Sequence, residues 1–206
     1  QVLSSISWWK KNLPVAPHRE VFVSDDSRHL VVSYSDGEGS DAGVGIAIWC
    51  PAIIGDRPYA GFTTVPPVGR ELWLLQHKHA VKQAEDNPDL DFNDMIEIEG
   101  VGPLLILANW GHILRRSLWI HYIDNSSALG SLVKGSATVT QQDVIVGQTW
   151  EYISKLDVLP WFDKVDSKSN PVDGLSRQDF TKSENCNWLW KGIDFPKQLR
   201  DSICES

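Results

Sequence analysis

Residues 117–135 read SLWIHYIDNSSALGSLVKG, and this stretch decides the fold. Residues 117–124 alternate and then run apolar, with β-branched and aromatic side chains, which predicts a strand. The strand ends on Asp124. The next eleven residues, NSSALGSLVKG, predict a short helix with Gly130 inside it and Gly135 as its C-terminal stop. A strand that passes directly into a helix is the repeating unit of sheets with helices packed on them.

The same reading extends upstream. HLVVSYSDGEG, beginning at His29, is a β-branched run that enters a turn, with Asp36-Gly37 at its end. AGVGIAIW, residues 42–49, is a second run, so an antiparallel hairpin is expected with GEGSD as its loop. A third strand is expected over Tyr59–Val65, stopped by Pro66 and Pro67. ELWLLQHKHAVKQAE, from Glu71, has helical spacing that NPDLD interrupts. From Asn93, the residues Met95, Ile98, Val101, Leu105 and Ala108 recur at helical steps, although Gly100, Gly102 and Pro103 weaken that pattern.

Downstream, Thr140 is expected to cap a helix in which Val146, Trp150 and Ile153 share a face. DVLPWFDKV, from Asp157, predicts a fifth strand. SKSNPVDGLSRQD, from Ser167, predicts a final helix with Pro171 in its first turn and Asp173 at its start. The predicted order is β-β-β-α-β-α-α-β-α. Consecutive antiparallel strands followed by alternating elements imply an α/β chain: a mixed five-stranded sheet with helices packed on it. Residues 1–27, with Trp8 and Trp9, are expected to be a connector from a preceding segment. Residues 28–180 form the domain, and residues 181–206 are a tail without assignment.

Bulk properties narrow the function. A chain of 206 residues that is 42% hydrophobic can bury a core. Its net charge is −8, so binding to a phosphate backbone requires a local basic strip or a basic partner. Acidity also suits a site of carboxylates that expects metal. Cys50, Cys186 and Cys204 form neither a disulfide framework nor a zinc pattern, which points to a reducing, intracellular compartment, cytoplasmic or nuclear. No run approaches the roughly 20 apolar residues of a membrane span. The first residue is Gln1 rather than Met, from which a piece of a longer chain is expected. The ten tryptophans fall mostly on predicted core faces, Trp49, Trp119 and Trp150 among them.

Four acids stand at element ends: Asp36, Glu99 (or Glu97), Asp124 and Asp173. Hydrolysing a phosphodiester in line calls for charge stabilisation on the attacking and leaving oxygens, which two Mg²⁺ ions about 3.5–4 Å apart supply. Mg²⁺ takes oxygen ligands and keeps several waters, so a few carboxylates suffice if they converge from separate elements. Each acid also has an ordinary structural reading. Asp36-Gly37 is a hairpin turn signal, and Glu97 and Glu99 suit a solvated helix face. Asp124 suits an N-cap and Asp173 a helix dipole. His77, His79, Arg115, Arg116 and His121 are expected on solvated surface.

SYSDGEG with AGVGIAIW, EGVGPLLILANW, WIHYIDNSSALGSLVKG and VDSKSNPVDGLSR together resemble the acidic motifs of ribonuclease H domains in reverse-transcribing retroelements. SISWWKKNL resembles the segment that joins reverse transcriptase to ribonuclease H there. The resemblance covers roughly residues 1–180. It implies a ribonuclease H-like fold and an endonuclease that cleaves the RNA strand of RNA–DNA hybrids. It assigns Asp36, Glu99, Asp124 and Asp173 as catalytic ligands of two Mg²⁺ ions, with Mn²⁺ able to substitute. Asn125, Ser126 and Lys168 are its expected substrate contacts, and a fused or associated reverse transcriptase its expected partner. The family's histidine before the last acid is missing from DKVDSKSN, where Lys164 or Lys168 is the substitute. A non-catalytic scaffold or nucleic-acid-binding domain of the same fold, and a DNA-directed nuclease or integrase, are the alternatives.

Overall fold

The computed structural model describes residues 27–71, 73 and 94–196. Trp8, Trp9, His77, His79, Cys204, most of the segment after Glu71 and the end of the tail lie outside the described residues.

Six strands form one mixed sheet in the order β5-β4-β1-β2-β3-β6. They are β1 His29–Glu38, β2 Gly43–Trp49, β3 Tyr59–Thr64, β4 Ser117–Ile123, β5 Leu159–Lys164 and β6 Leu189–Trp190. β1, β2 and β3 run antiparallel in sequence, while β4 and β5 add parallel to β1. The expected five-stranded sheet is therefore one strand short. The sixth comes from the tail, where two residues of β6 pair parallel with β3. Two residues carry no readable period, so only the partner strand defines them. The described part of the tail docks on the domain: Lys191 N donates to Ala60 O at 2.8 Å, and Phe195 is buried in the core.

The helices are α1 Pro51–Ile54, α2 Met95–Leu114, α3 Ser126–Lys134, α4 Thr140–Leu156, α5 Asp173–Ser176 and α6 Thr181–Asn185. Residues 67–71 are helical as well. Two boundaries differ from expectation. Thr140 is the first helical residue of α4 rather than its cap, and at this end the Asp143 Oδ1 accepts from Ala137 N at 2.9 Å. The helix at Asp173 spans only four residues, begins two residues after Pro171, and is followed by α6, so it is not the last.

α2 is the buried axis of the molecule. Every residue from Glu97 to Leu107 is buried, as expected for a helix that is apolar nearly all round. Gly102 explains how it lies so close to the sheet. A Cβ there would stand 2.4 Å from the Ser35 Cβ on β1, so any larger residue would push the helix away. The two glycines that weaken the helical pattern are thus contact points: Gly102 is where α2 meets the sheet, and Gly100 is where it meets α4, since a Cβ there would stand 2.5 Å from the Gln142 Oε1. Pro103 lacks the N–H that would bond to the Glu99 carbonyl, and tertiary packing holds the helix through it.

Candidate metal centre

Register places two of the acids. β1 and β4 run parallel with Tyr34 opposite Tyr122. Asp36 and Asp124 each lie two residues further on, and the two-residue side-chain period brings them to the same face at the same end of the sheet. Asp36 is not at a turn. It lies within β1, paired with Gly45, and the turn follows at residues 39–42. Asp124 is not an N-cap either. Asn125 fills that role, its Oδ1 accepting from Ser127 N and Ala128 N, each at 3.0 Å.

Glu99 arrives from α2. It reaches across Gly37, where a Cβ would stand 3.3 Å from the Glu99 Cδ. The Gly37 N–H donates to its carboxylate. One oxygen each from Asp36, Glu99 and Asp124 then lies within 4.8 Å of the others. Glu97, the alternative, is buried on the same helix but outside this group.

The three carboxylates share a dry environment. Asp36 is 3% exposed and Glu99 4%, and Asp124 is half-buried. Burial pushes Glu99 up to about 9; the charges of Asp124 and Asp36, and a hydrogen bond with Asp124, push the same way. Burial pushes Asp36 up to about 6. The Ser176 hydrogen bond opposes this rise, Asp124 and Asp173 add to it, and Arg177 opposes it. Glu99 Oε2 and Asp124 Oδ1 are shut off from solvent and have no hydrogen-bond partner. Buried carboxylate oxygens without a donor are costly unless a cation or proton answers them. An all-oxygen set of this kind fits Mg²⁺ or Mn²⁺ rather than a softer metal.

Asp36 is held from behind. The Ser176 hydroxyl donates to its Oδ2, and Asn170 Nδ2 lies 3.3 Å from its Oδ1. Asn170 also donates to Ser35 O at 3.0 Å. Gly45 makes room for this support, since a Cβ there would stand 2.7 Å from Ser176 N and from the Leu175 Cβ. Asn170 and Ser176 were not among the expected site residues. Their signal is faint: Ser176 follows Asp173 by one helical turn, and Asn170 precedes Pro171.

The fourth acid stands apart. Asp173 is not in the group, although its charge reaches Asp36. Its Oδ1 accepts from Arg177 Nη2 at 3.1 Å. Of the expected substrate contacts, Asn125 is occupied as the cap. Ser126 accepts from Lys164 Nζ at 2.7 Å, and Lys168 is exposed on the 3-10 turn Ser167–Ser169. His121, expected on the surface, is instead fully buried under α2. Ser33 Oγ lies 2.9 Å from its Nδ1 and Ser35 Oγ 3.1 Å from its Nε2. Burial holds it neutral, down to about 3. No family model matches the chain, and no curated protein matches it.

Proposed function

We propose that the chain is a metal-dependent endonuclease of the ribonuclease H type, cleaving the RNA strand of RNA–DNA hybrids. One observation carries this reading: three carboxylates from two parallel strands and a buried helix converge, and two of them keep a buried oxygen without a donor. A divalent cation is the partner such oxygens lack. Asp36, Glu99 and Asp124 would hold it. Asp173, at the rim, is the fourth acid available to a second ion. Bound as a pair, Mg²⁺ ions supply charge stabilisation on both the attacking and the leaving oxygen of a phosphodiester.

The chain's own side chains do the rest. Ser176 and Asn170 fix the Asp36 carboxylate so that its free lone pairs face the centre. Asn125 locks the start of α3 and so fixes the direction of Asp124. Lys164, held on Ser126, Lys168, on the exposed turn before Asp173, and Arg177, paired with Asp173, are the cations through which a chain of net charge −8 would meet a phosphate backbone. An RNA strand is told from DNA by its 2′-hydroxyls along a wide, shallow minor groove. Within the sequence resemblance, a reverse transcriptase is the fused or associated partner, and the site of action is the cytoplasm or nucleus. None of the described helices is long and apolar enough to cross a membrane.

The test uses a labelled RNA–DNA hybrid with Mg²⁺ or Mn²⁺, beside a DNA duplex of the same sequence. Hybrid cleavage that Asp124→Asn abolishes is the expected result. Cleavage that survives Asp124→Asn, or that is confined to the DNA duplex, overturns the reading. A chain that binds the hybrid but takes up no divalent ion is a scaffold.

A further inference from the structure

The fourth acid already has a cationic partner. Arg177 Nη2 donates to Asp173 Oδ1 at 3.1 Å across one turn, with the two side chains 62% and 40% exposed. Both sit at the lip of the carboxylate group. Asp36 feels the Asp173 charge and the Arg177 charge with opposite sign, and Arg177 also helps to lower Glu38. Glu38 is itself engaged by Ser40 and Asp41, so it does not compete for the guanidinium.

An exposed i,i+4 ion pair is weak, and a divalent cation outbids a monovalent one for the same carboxylate. A guanidinium set free beside the centre presents the planar fork that suits a phosphate. We propose that Arg177 is a stand-in cation: it holds Asp173 while no second divalent ion is bound, and exchanges that carboxylate for a phosphate of the nucleic-acid backbone when the ion arrives. This rests on the nuclease reading above and adds a residue that couples cation uptake to substrate grip.

The alternative role for the same contact is a holder, in which Arg177 aims Asp173 at the ion. The two roles differ in sign. A stand-in competes with the ion, so removing it tightens ion binding; removing a holder weakens it.

The experiment titrates Mn²⁺ into the chain calorimetrically, and separately follows hybrid binding by anisotropy in Ca²⁺ at several salt concentrations. Wild type takes up Mn²⁺ in two steps. Arg177→Gln tightens the second step by about two- to threefold, the worth of an exposed ion pair. It also weakens hybrid binding and lowers the salt slope by about one. In an Asp173→Asn background, which lacks the second step, Arg177→Gln no longer changes Mn²⁺ uptake. Circular dichroism confirms the fold of each variant, and Arg177→Lys, which retains charge without the fork, restores Mn²⁺ competition but not full hybrid affinity. Weaker Mn²⁺ uptake in Arg177→Gln, or an unchanged salt slope, overturns the stand-in role while leaving the nuclease reading intact. A wild type that takes up no Mn²⁺ overturns both.

Discussion

β1 and β4 bury polar side chains on both faces, and the two sets are built oppositely. Under α2, the network of Ser33, Ser35, Trp119 and His121 is closed: Trp119 Nε1 donates to Ser33 Oγ at 2.7 Å, and each ring nitrogen of His121 meets a serine hydroxyl. At the tip of the other face, Asp36 and Asp124 meet Glu99, and two carboxylate oxygens are left without donors. The strands are the same and the burial is similar. Only the satisfaction of the groups differs. Buried polarity whose partners are supplied by the chain specifies a structure, and buried polarity whose partners are missing marks a place for something else.

The largest expected effect breaks the open set. Asp124→Asn removes a cation ligand and should lower hybrid cleavage by about 10²- to 10³-fold. The same change relieves repulsion among the carboxylates, so the melting temperature in chelator should hold or rise. Paired cleavage and melting measurements check both; a melting temperature that falls steeply would mark the cluster as structural. The next effect breaks the closed set. Ser33→Ala strands the Trp119 Nε1 and one nitrogen of His121, at a cost of about 2–3 kcal/mol. That corresponds to a drop of about 5–10 °C in thermal denaturation, with cleavage by the folded fraction unchanged.

The two sets were not equally legible in the sequence. The strands at His29 and Ser117 announce themselves by β-branched runs, and the acids at their far ends follow from reading where each run stops. The parallel register that joins Asp36 to Asp124 was not readable, because the element order names a mixed sheet without saying that β4 lies beside β1. Glu99 could be narrowed only to one of two glutamates, because choosing between them needs the angle at which α2 crosses the sheet. Gly102 and Gly37 control that approach, yet in a linear reading a glycine in a helix or beside a turn signals weakness or a bend. His121 looked superficial because a polar residue in an alternating run reads as outward; its partners, Ser33 and Ser35, lie on another strand. The supports of Asp36 were hidden for the same reason, Asn170 and Ser176 being 134 and 140 residues away in sequence.

Opposite construction predicts opposite pH behaviour. In the absence of divalent ions, Glu99 is raised from 4.5 to about 9, so the folded chain keeps a proton that the unfolded chain has lost. That contribution is fully present below pH 4.5 and is lost as pH rises through about 9. Asp36, raised from 3.8 to about 6, acts in the same direction over a lower window. His121 is lowered from 6.5 to about 3, so its contribution is fully present above pH 6.5 and is lost as pH falls through about 3. Each uncompensated proton sets a slope of at most about 1.4 kcal/mol per pH unit. Urea denaturation in chelator should therefore show stability declining from pH 7 to pH 9. Glu99→Gln should flatten that limb and leave the acid limb, set by His121, in place. An alkaline limb that Glu99→Gln leaves unaltered contradicts the assignment of the buried proton.

The smallest effect sharpens the comparison most, because it acts on one set alone. At ten times its dissociation constant, Mg²⁺ should stabilise the chain by about 1.4 kcal/mol. In thermal denaturation this is an increase of about 3–5 °C. Ser33→Ala should show the same increase from its lower starting point, since the closed network contributes no ligand. Glu99→Gln should show little or none, having lost a carboxylate and with it the buried oxygen that seeks a cation. The increase in wild type should also grow between pH 6 and pH 9. The ion must displace the proton that burial keeps on Glu99, and that displacement becomes easier as the solution becomes more alkaline. An ion bound at some unrelated surface carboxylate would shift all three chains alike and would be indifferent to pH in this range. The joint dependence on Glu99 and on pH therefore distinguishes a cation at this centre from one bound elsewhere.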